Sequence, residues 1–175
     1  SPDGELCADH LPLMWTPSPD GLGGLLRGHV ARANPLARVA DGSTVLAVFQ
    51  GPQAYITPSW YATKAATGQV VPTWNYAVVQ AHGSLRRVEE PAALLSLVSE
   101  LTSVHEGARA HPWAVSDAPD DYIAAMLRAI VGIEIQVTRL TGKWKMSQNR
   151  THADRAGVAN GLTAEPSRTA QAVAP

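Results

Sequence analysis

Apolar and polar residues alternate strictly over residues 132–140 (GIEIQVTRL), the period of a strand with one covered face. Residues 72–88 (PTWNYAVVQAHGSLRRV) predict a longer strand. Trp74, Tyr76 and Val78 share one of its faces, and Asn75, Ala77 and Val79 the other. The apolar run at 44–50 (TVLAVFQ) has strand length and predicts burial on both faces. Gly51-Pro52 then predicts a turn, and residues 54–57 a returning strand. Residues 5–15 (ELCADHLPLMW) predict an extended segment with Cys7, Leu11, Leu13 and Trp15 on one side and Pro12 at an edge. Residues 22–30 predict a further strand, and Asn34-Pro35 breaks the segment that follows it. Helical spacing appears over 91–106, where Leu94, Leu97, Val98 and Leu101 form one stripe. Pro91 suits the first turn there, and Glu89 and Glu90 suit its positive end. Asp117-Ala118-Pro119 opens a second helix, over 119–130, with Ile123, Met126, Leu127 and Ile130 facing inward. Residues 59–67 predict one irregular helical turn. Thr151 and Asp154 have the spacing of a capping box for a last short helix ending at Gly161. Six or so short strands with two main helices predict a mostly β fold, a small barrel with peripheral helices.

Composition narrows the class. The 175 residues are 45% hydrophobic and carry 14 Lys+Arg against 15 Asp+Glu, for a net charge of −1. Such a chain fits one packed domain, expected over residues 1–162, with residues 163–175 as a flexible tail. No apolar run nears the roughly 18 residues of a membrane-spanning helix, so a soluble protein is expected. The near-neutral charge offers nucleic acid no electrostatic footprint. The one cysteine, Cys7, cannot form an internal disulfide, which points to a reducing, cytoplasmic location. The opening Ser1-Pro2-Asp3-Gly4 is a turn signature, and a turn has a strand on each side, so a strand is expected upstream of Ser1.

Motifs for familiar chemistries are missing. His105-Glu106 and His111 lack zincin spacing, because Arg109 stands where the second histidine belongs, and no metal is expected. Ser59 has no nucleophile elbow around it, and neither a P-loop nor a dinucleotide fingerprint occurs. Three polar-aromatic segments remain: 27–35 (RGHVARANP), 55–64 (YITPSWYATK) and 142–150 (GKWKMSQNR). Cations, hydroxyls and rings together suit a phosphorylated planar cofactor, through charge-assisted hydrogen bonds and stacking faces. Taken segment by segment, turn networks, helix caps and core packing are the simpler account of the same residues.

The strings LRGHVARANP (26–35), FQGPQAYITPSWY (49–61), VPTWNYAVVQAHG (71–83), AIVGIEI (129–135) and GKWKMSQNR (142–150) resemble the PaiB-like family of FMN-binding negative transcriptional regulators. The resemblance runs in order from about His10 to Leu162. It implies an FMN-binding split β-barrel, a homodimer with flavin at the subunit interface, and an N-terminal helix and first strand that this chain lacks. The second segment also resembles an oxidase-type strand, in which Tyr55, Thr57, Ser59 and Lys64, with Thr63, would hold the FMN phosphate. Oxidases often carry an Arg beside that lysine, where this chain has Thr63. The family's dimer would place Trp74, Asn75 and Tyr76 near the interface, with Trp144, Lys145 and Ser147 closing over the ring from the partner subunit. Arg27, His29, Arg32 and Asn34 would serve phosphate or substrate, or else form a hydrogen-bonded corner supporting the barrel.

The function implied is negative regulation through a flavin- or ligand-bound homodimer, in preference to an enzyme. One alternative is an FMN-dependent oxidoreductase of the pyridoxamine-phosphate-oxidase class, for which no acid or base is identifiable. Another is a cofactor-free or haem-binding barrel with His29 or His82 as ligand. Direct DNA contact has little support, because the helices at 91–106 and 119–130 are separated by a Pro/Asp-rich loop and neither has a basic face.

Overall fold

The computed structural model describes residues 5–21 and 23–164. The turn expected at residues 1–4 and residues 165–175 of the expected tail lie outside these, while residues 163 and 164 of that tail are helical. Five strands line up in the order β1-β2-β5-β4-β3: β1 (Met14–Pro17), β2 (Gly24–Ala31), β3 (Thr44–Ile56), β4 (Thr73–Val88) and β5 (Ile130–Lys145). The helices are α1 (Ala62–Thr67), α2 (Pro91–Glu106), α3 (Asp120–Arg128) and α4 (His152–Ala164). This mostly antiparallel sheet with peripheral helices is the fold class expected from the sequence. Among the described residues the ladder ends at β1 and β3 and does not close on itself. No described helix is long and apolar enough to cross a membrane.

The chain divides into two compact units, Ser1–Ala47 with Ala81–Leu140, and Val48–Gln80 with Thr141–Pro175. In the first unit, β2 pairs antiparallel with β5, and the register sets Leu26 opposite Ile135, Gly28 opposite Ile133 and Val30 opposite Val131. Directly opposed residues share a face, so the alternation of both strands fills one core. Leu26, Val30, Leu85, Val131, Ile133, Ile135 and Val137 are all buried in it. Leu94 and Leu97 of α2 are buried as its stripe predicts, and Glu90 caps that helix by accepting from the Ala92 and Ala93 amides at 3.0 and 2.6 Å. The helix α3 is shorter than expected. Ile130 opens β5 instead of ending the helix, and Met126, expected inward, is exposed.

Two further expectations fail for one reason. Gly51-Pro52 does not turn the chain, and residues 44–56 form one continuous strand. Because β3 lies at the sheet edge, Pro52 need not donate to a neighbour there. Gly51 passes so close to Ala77 that an added Cβ would stand 3.2 Å from its methyl and its carbonyl oxygen. An edge strand is covered on fewer sides, so Leu46, Val48 and Phe49 are exposed, not doubly buried. Of residues 5–15, only Met14 and Trp15 enter a strand, while Leu11 and Leu13 pack on the first core without regular structure.

The second unit has its own small core of Ile56, Tyr61 and Val158, with Ala54, Trp60, Val70 and Leu162 against it. Ile133 is fully buried in the larger core. Ile133→Ala should therefore cost about 2–5 kcal/mol in urea unfolding, whereas Val104→Ala, on an exposed position of α2, should change stability by less than about 0.5 kcal/mol.

Candidate functional site

The 57–68 segment owes its shape to local capping. Thr57 precedes a 3-10 turn, Pro58–Trp60, and its Oγ1 accepts from the Ser59 amide at 3.2 Å. Proline suits the first position because its missing N–H would be unpaired there. Tyr61 then starts α1, and its carbonyl accepts from the Lys64 amide at 3.1 Å. Gly68 ends the helix at φ +68°, the left-handed conformation glycine adopts without steric cost. Within this frame Lys64 Nζ donates to Ser59 Oγ at 3.1 Å, and both side chains are exposed. No carboxylate lies within ion-pair distance of Lys64 among the described residues.

Thr63 is engaged elsewhere. Its amide and hydroxyl donate to the two carboxylate oxygens of Asp154, at 2.9 and 2.8 Å. Asp154 is 2% exposed and sits in the first turn of α4. Hydrogen bonds from Thr63, the backbone one first, hold its carboxyl below the usual range. Thr151 Oγ1 accepts from the Asp154 amide at 3.2 Å, while both oxygens of the Asp154 carboxylate accept from Thr63 at the start of α1. Close packing supports the clamp. Cβ atoms at Gly157 and Gly161 would collide with the Trp60 carbonyl and indole, so only glycine lets α4 lie this near the turn.

The remaining predicted residues fall into three settings. Tyr55 and Trp74 meet edge to face, with centroids 6.1 Å apart at 71°, and both rings are about half exposed. Trp74, Tyr76 and Val78, with Gln50 and Gln53, line an open depression of about 380 Å³. Trp144 is exposed, and Lys145 Nζ donates to Thr73 Oγ1. Asn75 and Ser147 form a buried pair, the Ser147 hydroxyl donating to Asn75 Oδ1 at 3.0 Å.

Arg27, His29, Arg32 and Asn34 belong to the first unit, where three of them are engaged in its own bonds. Arg27 forks onto Glu100 at 2.7 and 3.3 Å, which raises its pKa. Arg32 binds Glu89 at 2.7 Å and the Arg128 and Ile130 carbonyls. Asn34 accepts from the Leu36 amide and donates to Asp9. Burial lowers the pKa of His29, whose Nδ1 has no partner among the described residues. Sequence reasoning took Asp154 only as a local cap and Arg150 only as part of the 142–150 segment, and missed their partners: Asp154 braces Thr63, and the Arg150 guanidinium carbon lies 4.6 Å from the Tyr61 ring centroid. Neither partner has a signal in its local sequence.

The clamp has a pH signature. Because the Asp154 pKa is lowered on folding, its contribution is present above the unfolded value and fades as pH falls through the folded one. Asp154→Asn should lower Tm at neutral pH, with the gap to the parent protein narrowing below about pH 4. Thermal melts across pH check this, and a gap that stays constant down to about pH 2 would remove the carboxylate from that role.

Residues 1–139 match a family model described as "Putative FMN-binding domain". An uncharacterised protein of Aspergillus fumigatus is 40% identical over 172 residues, covering 79% of this chain and 66% of that protein. One of Emericella nidulans is 42% identical over 166 residues, with the same 79% and 66% coverage. The protease synthase and sporulation protein PAI 2 of Bacillus subtilis is 33% identical over 175 residues, covering 98% of this chain and 79% of that protein. The chain thus spans about two thirds of the length of the two fungal relatives. With a family model over most of its length and a relative along nearly all of it, the chain belongs to the PaiB-like family of FMN-binding domains.

Proposed function

We propose that this chain is one subunit of an FMN-binding homodimer that represses transcription through the state of its flavin or of a bound ligand. The observation that carries the reading is the Ser59–Lys64 pair. An ammonium and a hydroxyl lie together in the open, with no carboxylate competing for the cation among the described residues. That donor set fits a phosphate monoester. Lys64 supplies charge, Ser59 a directional donor, and Thr57 fixes the turn that presents Ser59. Thr63 is already bonded to Asp154 and holds the segment in place instead of serving the ligand. Bound FMN supplies hydride and electron chemistry at its ring.

Homodimerisation is supported by the apolar surface of the second unit. Val48, Tyr55, Trp74 and Trp144 are each 48–57% exposed, Tyr55 and Trp74 in contact, and large apolar groups left in the open suit an interface. The regulatory role is supported by the family resemblance and by the Bacillus relative's name, which links that protein to protease synthesis and sporulation. The helices favour an indirect route. Residues 91–106 of α2 include no Lys or Arg, and α3 opens on Asp120 and Asp121.

Flavin content and native mass measured on one sample test the reading. A yellow particle with one FMN per chain and twice the 18.5 kDa chain mass is expected. A colourless monomer overturns it. Lys64→Ala should weaken FMN binding by about 1.5–3 kcal/mol, the loss of one charge-assisted contact, in fluorescence titration.

A further inference from the structure

We propose that Arg150 is a second cation of the FMN phosphate site, brought there by the segment 141–164. That segment lies beyond the residues 1–139 matched by the family model. The inference rests on the reading of Ser59 and Lys64 just given, and extends it.

Position is the first argument. Tyr61 joins the two halves of the phosphate segment. Its amide donates to the Pro58 carbonyl and its carbonyl accepts from the Lys64 amide, both at 3.1 Å. Its ring is 3% exposed, and Arg150 lies over it with the guanidinium carbon 4.6 Å from the centroid. The guanidinium is thus held at the residue between Ser59 and Lys64. The Tyr61 hydroxyl is buried without a hydrogen-bond partner among the described residues, so the ring that carries the cation also ends in an unused donor.

Availability is the second. Arg27, Arg32, Arg86, Arg87 and Arg109 each have a carboxylate at 2.5–3.2 Å. Arg150 has none within ion-pair distance among the described residues. The Asp154 carboxylate is near enough to feel the charge of Arg150, but both its oxygens are bonded to Thr63 and it makes no ion pair with the guanidinium. A guanidinium stacked on a ring keeps its N–H fork free for an oxyanion.

Preorganisation is the third. The Met146 amide donates to Gln148 Oε1 at 2.6 Å, and Gln148 Nε2 donates to the Trp144 carbonyl at 2.5 Å. Ser147, at φ +58°, is anchored on Asn75, and its carbonyl accepts from the Arg150 amide at 2.9 Å. The turn delivering Arg150 is therefore built before any ligand arrives. A phosphate monoester carries close to two negative charges, which one ammonium does not neutralise.

FMN and riboflavin, which lacks the phosphate, are titrated into the parent protein, Lys64→Ala, Arg150→Gln and Arg150→Lys. Arg150→Gln should weaken FMN about tenfold or more while leaving riboflavin unchanged, and Arg150→Lys should recover part of the loss. An unchanged FMN affinity in Arg150→Gln overturns the proposal, as does an equal loss for both flavins, which would make Arg150 a brace for Tyr61 only. If Arg150→Gln does not fold, Arg150→Met keeps a stem over the ring and takes its place in the comparison. A parent protein that binds neither flavin refutes the FMN reading itself. An effect of Lys64→Ala without one of Arg150→Gln refutes this inference alone.

Discussion

A buried carboxylate organises the second unit. Asp154 receives an amide and a hydroxyl from Thr63, and this one group ties α4 to the short helix that carries Lys64. Six residues make a marginal helix. Its position therefore depends on tertiary bonds, and the Asp154 pair supplies the polar part of them. A buried charge is tolerated only where its oxygens are satisfied. Here both are, which makes the clamp specific to one placement of α1 against α4. The glycine contacts at Trp60 and the Ile56–Tyr61–Val158 cluster add the apolar part. Because Ser59 and Lys64 lie on the clamped segment, the geometry of these proposed phosphate donors is inherited from a bond that neither of them makes.

Several arginines are committed to carboxylates. In the first unit Arg27, Arg32, Arg86 and Arg87 end on carboxylates, and Arg32 also closes two backbone carbonyls near the start of β5. Exposed pairs of this kind contribute little each, but they commit the cations to the scaffold. In the second unit Lys64 rests on a hydroxyl and Arg150 on a ring. Neither direct partner carries a negative charge, and although the Asp154 carboxylate feels Arg150 electrostatically it makes no ion pair with it. The Tyr55–Trp74 pair and Trp144 set apolar rings on the exposed surface of the same unit. An anionic end and a flat apolar body are the two chemical halves of FMN, and the two kinds of side chain suit them separately.

Much of the architecture was legible in the chain itself. Strict alternation located β5, the Trp74/Asn75 face pattern of β4 reappears in its burial, and the leucine stripe located α2. These are local properties, since a strand or helix with one covered face must repeat its apolar side chains at its own period. The residue types for a phosphorylated cofactor were legible in the same way, as were the strings that carry the family resemblance. What each polar side chain would bond was not. Glu100 lies 73 residues from Arg27, and Asp154 lies 91 from Thr63. Asp154 therefore read as a local cap, and Arg150 as one cation of the 142–150 segment with no partner assigned to it. Gly51-Pro52 read as a turn, and only the position of β3 at the sheet edge lets it continue as strand. Periodicity is written residue by residue, but the choice among many possible partners for a charge is made only when distant segments pack. So the sequence determined the elements and the donor types, and the tertiary structure decided which cations are tied to carboxylates and which remain for a ligand.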